Sequence, residues 1–380
     1  MVERRKNKIS SKCHRLVVKL GTGLLTGGSD QLNLEIMSSL VTQVAQLHQQ
    51  GIELVIVSSG AIAAGRQKLN LTKKIKDIPF KQVLASVGQN RLMQAYEQLF
   101  SWHNITVAQA LLTRNDLDDR SGYLNARNTL MALMELKVIC VVNENDVVSV
   151  DEIQEAKFGD NDNLSAMVAN LVDADLLLIL TDIAGLYTSD PNIDKNAYHI
   201  TKVEKIDDDI ERLASDTAGD LGTGGMVTKI EAAKLATACG VMVVVADGRE
   251  PDVILRVVNG EDIGTIFEPT CRDLESRERW MLSGLSTKGK VTIDSGAANA
   301  LKKQKRSLLA AGISEIEGMF QRGDIVNVYD AHGQNLGCGI SNYSSADLQV
   351  IKGTHSRKIH SLLGYDYGSE VVHRNNLVVL

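Results

Sequence analysis

Aromatic side chains make up only 4% of the 380 residues, too few for the successive ring platforms on which single-stranded nucleic acids stack. No run approaches the roughly 20 apolar residues needed to span a bilayer. The basic start, MVERRKNKISSKCHRLVVKL, lacks the continuous apolar segment of a signal peptide, so a cytoplasmic protein is the expectation. Five cysteines, Cys13, Cys140, Cys239, Cys271 and Cys338, are scattered without a C-x-x-C pair. Zinc and dithiol chemistry therefore have no framework, and reduced thiols are expected. The net charge of −6 argues against tight binding of a polyanion by the whole chain. Ser59, in SSGA, lacks the G-x-S-x-G elbow of a hydrolase nucleophile, and His48, His103 and His199 have no ligand spacing.

What is present is an alternation. Short runs rich in Val, Ile and Leu, RLVVKL (15–20), ELVIVSSG (53–60), VICVVN (138–143), DLLLILTD (175–182) and VMVVVAD (241–247), are separated by segments of helical period near 33–50, 80–100, 122–136, 162–172 and 225–239. Buried strands separated by helices imply an α/β fold, a largely parallel sheet sandwiched by helices. Ligands of such sheets gather at the carboxyl ends of the strands. Lys19 to Thr22, Ser58 to Gly60, Asn143 to Asp146 and Thr181-Asp182 all follow strands and would converge on one edge. After LSTKGK (285–290) the texture changes to short segments separated by Gly- and Asp-bearing turns, a small β-rich module. Two domains follow, 13–275 and 288–371. From 288 onward Lys and Arg outnumber Asp and Glu, eleven to eight.

Three glycine- or acid-rich stretches carry candidate chemistry. KLGTGLLTGG follows the first strand, but Thr26 stands where G-x-G-x-x-G needs its third glycine, and no acidic residue ends the next strand, so a dinucleotide fingerprint is not met. Lys19 itself reads as a solvated strand-end lysine or as an anion contact beside Gly21 and Gly23. DLGTGGMVTK (220–229) misses the Walker pattern, since its lysine follows threonine and not glycine. Ahead of the apolar helix IEAAKLATACG its amides would sit at a helix N-terminus, where the dipole favours negative charge; an ordinary loop and cap fit equally. Lys229 reads as an exposed lysine at the start of that helix. GDNDNLSA (159–166) is either a turn with an N-cap or a charged site. If Lys19 and Lys229 meet one phosphate they repel each other, and a buried carboxylate between them would hold both; Asp162 is the candidate. Asp146 suits a substrate ammonium or a surface turn, and Thr181-Asp182 a nucleotide or a turn.

Taken in order, VVKLGT, VIVSSGAIAAG, LNARNT, NEND, GDNDNLSA, ILTDIAGLYTSDP and DLGTGGMVTK resemble the amino acid kinase family, from about Arg15 onward, and the tail resembles a PUA module. The wording is nearest to members that phosphorylate the side-chain carboxylate of L-glutamate. The resemblance implies ATP and Mg²⁺, with Lys19, Asp162 and Lys229 catalytic and Ser59, Asp146 and Asn161 around glutamate. It also implies Lys19, Thr181, Asp182, Thr223, Gly224, Gly225, Met226, Val227, Thr228 and Lys229 on ATP, with no protein-held metal. Proline as feedback inhibitor and a homo-oligomer belong to the same expectation. The alternatives are a related kinase acting on another carboxylate, carbamate or phosphate, and, from another class, RNA binding by the PUA-like tail.

Overall fold

The computed structural model describes residues 13–71, 77–149, 161–189, 191, 193–194, 196–216, 225–269, 288–304 and 306–379. It divides into two compact units, one of Met1–Leu117 with Arg127–Asp273, the other of Asp118–Ala126 with Leu274–Leu380.

The first unit is built on strands β1 (Arg15–Leu20), β2 (Glu53–Ser58), β3 (Val107–Leu112), β4 (Ile139–Glu144), β5 (Leu176–Thr181), the short pair β6 (Leu186–Tyr187) and β7 (His199–Ile200), then β8 (Lys202–Val203), β9 (Met242–Asp247) and β10 (Thr265–Phe267). Eight of them form one sheet in the order β3-β4-β2-β1-β5-β9-β10-β8. All neighbours are parallel except β9 and β10. The five apolar runs of the sequence are thus its central strands, and β5 is buried along its whole length. Strand β3 escapes the sequence pattern. It lies at the sheet edge, none of its residues is fully buried, and so VAQALL lacks the continuous apolar run of the interior strands.

Alternation along β1 decides the chemistry. Leu16, Val18 and Leu20 join the core that includes the helices Leu34–Gln49, Ile78–Ser101 and Val253–Val258. Val17 and Lys19 therefore face the opposite side of the sheet, where the helices Asn161–Leu171 and Met226–Ala238 pack on each other. Ala166 and Ala169 on one helix and Ala232, Ala233 and Ala236 on the other are fully buried, and side chains this small let two backbones approach. A second close approach joins the helices Ala61–Lys68 and Ile78–Ser101. A Cβ on Gly65 would lie 2.0 Å from the Leu84 carbonyl oxygen, and one on Gly88 would lie 1.8 Å from that of Ala61. Only glycine fits either place.

In the second unit β11 (Gly289–Ile293), β12 (Leu308–Leu309), β13 (Ile313–Gly318), β14 (Ile325–Asp330), β15 (Asn335–Ile340), β16 (Glu370–Val372) and β17 (Leu377–Val379) make a five-stranded sheet, β13-β11-β14-β15-β17, with β12 and β16 paired separately. Val291, Ile293, Phe320, Val328, Tyr343 and Leu348 are among the residues of its own core. This is the small β-rich module expected from the turn-rich texture. Cys13, Cys140, Cys239 and Cys338 are free thiols; Cys271 lies outside the described residues.

Candidate active site

Lys19 is the one fully buried charged residue of β1, flanked in register by Val57 of β2 and Ile179 of β5. It is buried, and its Nζ lies 2.6 Å from Oδ1 of Asp162, which is 0% exposed. Lys229 Nζ lies 3.2 Å from the other oxygen, Oδ2. Two ammonium groups 210 positions apart in the chain thus share one carboxylate, with Asp162 in the first turn of one helix and Lys229 in the first turn of the other. Thr228 Oγ1 stands 2.9 Å from Asp162 Oδ2 and 2.9 Å from the Gly225 carbonyl. Its single proton goes to the ionised partner, the stronger acceptor.

Burial by itself would raise the Asp162 pKa. The Lys19 and Lys229 charges, with hydrogen bonds from Lys19 and Thr228, outweigh that and hold it well below the usual carboxylate range. Asp162 is therefore ionised at neutral pH. Lys229 is also buried, which corrects the reading of it as an exposed lysine. Met226 begins a helix buried on several faces, with Thr228, Lys229 and Ile230 of its first turns covered by neighbouring structure, so position in the sequence did not reveal exposure.

The helix bearing Lys229 starts after Gly225, which has φ −67° and ψ 174° and gives no side-chain cap. Its first amides keep their positive pole for a ligand. Met226 and Thr228 are buried and Val227 is half-buried. Thr223 and Gly224 lie outside the described residues. At the end of β5, Thr181 is buried and its hydroxyl donates to Asp182 Oδ1 at 3.1 Å. Asp182 is exposed, and its carboxylate stands 3.1 Å from where a Cβ on Gly23 would be, so the turn after β1 and the turn after β5 meet.

A second polar cluster continues from the first. Asn161, next to Asp162, donates through Nδ2 to Ser59 Oγ at 3.0 Å and to Asn143 Oδ1 at 3.1 Å. All three are buried, and each stands at or just beyond the end of an element, β2, β4 or the helix start. Asn143 Nδ2 in turn donates to Gln89 Oε1 at 2.8 Å. Asp146, in the turn after β4, is buried, and its Oδ1 has no hydrogen-bond partner among the described residues. Burial, then the charge of Glu144, pushes its carboxyl up to about 7. Gln82 Nε2 holds that turn by donating to the Asp146 carbonyl at 2.9 Å. Lys19, Ser59, Asp146, Asn161, Asp162 and Lys229 are thus brought to the carboxyl edge of the central strands. Sequence reading brought Asn143 to this edge without giving it a role, and missed Gln82 and Gln89 as members of the network. The two glutamines sit seven residues apart, two turns on one helical face, a spacing that singles out a face but not what it meets.

The sequence model of the Amino acid kinase family matches residues 14–247, and that of the PUA domain matches residues 289–363. A glutamate 5-kinase of Dehalococcoides mccartyi (strain CBDB1) is 59% identical over 98% of this chain and 100% of its own length. The glutamate 5-kinases of Herpetosiphon aurantiacus and Vibrio campbellii are each 48% identical, over 96% and 100% of this chain and 98% and 100% of their own lengths.

Proposed function

The chain belongs to the amino acid kinase family, and on that premise we propose that it transfers the γ-phosphoryl group of ATP to the side-chain carboxylate of L-glutamate. The product is L-glutamyl 5-phosphate, and the reaction opens proline biosynthesis. The observation that carries this reading is the pair of buried ammonium groups on one carboxylate. Two buried lysines held at one carboxylate are placed to meet the negative charge of a terminal phosphoryl group.

The chemistry needs no general base. A side-chain carboxylate with a reference pKa near ~4.3 is already ionised at neutral pH and is itself the nucleophile. The obstacle is repulsion between two anions that must meet in line. Lys19 and Lys229 lower that barrier by holding positive charge where negative charge accumulates on the transferred group. Asp162 is a positioning residue: it offers one oxygen to each ammonium and so fixes the distance between them. The amides from Gly225 to Thr228 take phosphate oxygens of ATP, with Thr181 and Asp182 beside the nucleotide, and Thr223 and Gly224 belong to the same assignment. Ser59 and Asn161 hold the reacting carboxylate, and the ionised Asp146 pairs with the α-ammonium. Mg²⁺, entering with ATP, would supply further charge neutralisation. It would be held chiefly by ATP oxygens and water.

In this reading 13–275 is the kinase domain and 288–371 the PUA-like tail. Proline, which shares the α-ammonium and α-carboxylate of glutamate, competes at the Asp146 end, and the enzyme works as a homo-oligomer. The test is trapping of the acyl phosphate as a hydroxamate with hydroxylamine. Glutamate should be preferred to aspartate and to N-acetylglutamate, whose blocked amine cannot pair with Asp146. Equal rates with all three would overturn the specificity.

A further inference from the structure

Gln89 is half-buried on the helix Ile78–Ser101, yet its Nε2 is buried and without a hydrogen-bond partner among the described residues. The orientation of its amide is fixed by the neighbours. Asn143 Oδ1 accepts from the Glu144 amide at 2.9 Å and from Asn161 Nδ2 at 3.1 Å. Asn143 Nδ2 must therefore be the donor to Gln89, which presents Oε1 to it and turns Nε2 the other way. A buried NH₂ group with no acceptor is destabilising, and nothing about packing requires it here. The position is also rigidly held, because the adjacent Gly88 lies in backbone contact with the helix Ala61–Lys68.

The order of contacts says which ligand atom would meet it. From the phosphoryl end the chain of polar groups runs Lys229 and Lys19, Asp162, Asn161, Asn143, Gln89. Gln89 stands at the end remote from the reacting carboxylate, three residues of backbone from Asp146 through Asn143. We propose that Gln89 is a specificity-determining residue whose Nε2 donates to the α-carboxylate of the amino-acid substrate, while Asp146 takes the α-ammonium. An unsatisfied donor and an unsatisfied acceptor then recognise the two charges that every free amino acid carries. The proposal rests on the glutamate kinase reading and adds the residue that reads its remote carboxylate.

The discriminating variant is Gln89→Glu, which keeps an acceptor oxygen for Asn143 and replaces the donor by an anion. Calorimetric binding of L-glutamate and of L-glutamate α-amide, which retains the side-chain carboxylate, is compared in wild type and variant, with steady-state kinetics alongside. A lost hydrogen bond to a charged group corresponds to roughly ten- to a hundredfold. The Kd and KM for glutamate should rise by that factor, while the α-amide binds variant and wild type within about threefold, and kcat and the KM for ATP hold within about threefold. A Gln89→Met variant, which has neither donor nor charge, should weaken glutamate less than Gln89→Glu. Equal weakening of both ligands, or a fall in kcat with a raised KM for ATP, would show a structural role and overturn the proposal. Wild-type protein that binds glutamate without phosphorylating it would sink the kinase reading alone, since the binding comparison still stands.

Discussion

Replacing Lys229 by methionine separates catalysis from stability more sharply than any other single change. Lys229 brings its positive charge to the 0%-exposed Asp162 at 3.2 Å, beside Lys19 at 2.6 Å. Methionine keeps the aliphatic length and removes that charge, while Asp162 retains Lys19 and the Thr228 hydroxyl at 2.9 Å. Asp162 thus keeps a charged partner, so the melting temperature of the unliganded protein should fall less than in Asp162→Asn. Turnover should collapse. A charged group directed at developing negative charge in a buried site contributes about 3–4 kcal/mol, or 10²- to 10³-fold in kcat. Asp162→Asn should cost more stability, because it removes the carboxylate that both buried ammonium groups share, a loss of about 3–5 kcal/mol. The assays are ADP release under saturating glutamate and ATP, and thermal unfolding without ligands. Lys229→Met activity within about tenfold of wild type would refute the role of its charge, and unfolding of Lys229→Met below Asp162→Asn would refute the charge balance.

Asp146, with its carboxyl pushed up to about 7, must be ionised to pair with an ammonium. The KM for glutamate is therefore expected to fall about tenfold between pH 6 and pH 8, and Asp146→Asn should abolish that dependence; a flat wild-type profile would remove Asp146 from the amine. The same shift has a sign for folding. The folded value lies above the ordinary 3.8, so the protonated carboxyl contributes stability below about pH 4 that is lost as pH rises through about 7, measurable as a drop in wild-type melting temperature that Asp146→Asn lacks. Gly88→Ala would place a Cβ 1.8 Å from a backbone carbonyl and 2.4 Å from the Gly65 amide; about 3 kcal/mol of destabilisation is expected in urea unfolding, and a loss under 1 kcal/mol would contradict the close packing. The guanidinium of the buried Arg127 pairs with Asp173 at 2.6 Å and donates to the Leu171 carbonyl at the end of the helix that begins with Asn161 and Asp162. Arg127→Met should cost about 3 kcal/mol of stability in the same measurement, and an unchanged midpoint would argue against the clamp.

How much of this was legible beforehand depends on the range of the interaction concerned. Strands β1, β2, β4, β5 and β9 are readable because interior parallel strands need apolar residues on both faces, whereas β3, at the edge, is not. The helix Ala61–Lys68 hides for a different reason: its composition is ordinary, and its place is set by glycine contacts with a helix further along the chain. Residue types settled which groups could do chemistry, and strand polarity settled that Lys19, Ser59, Asp146 and Thr181 would share one edge of the sheet. Tertiary structure alone decided that Lys229 is buried, that Lys19 faces the helices Asn161–Leu171 and Met226–Ala238, and that Gln89 turns an unsatisfied donor inward. Those outcomes depend on helix packing and on hydrogen bonds between residues tens to hundreds of positions apart, and a local pattern of side chains holds no record of which distant element will cover it.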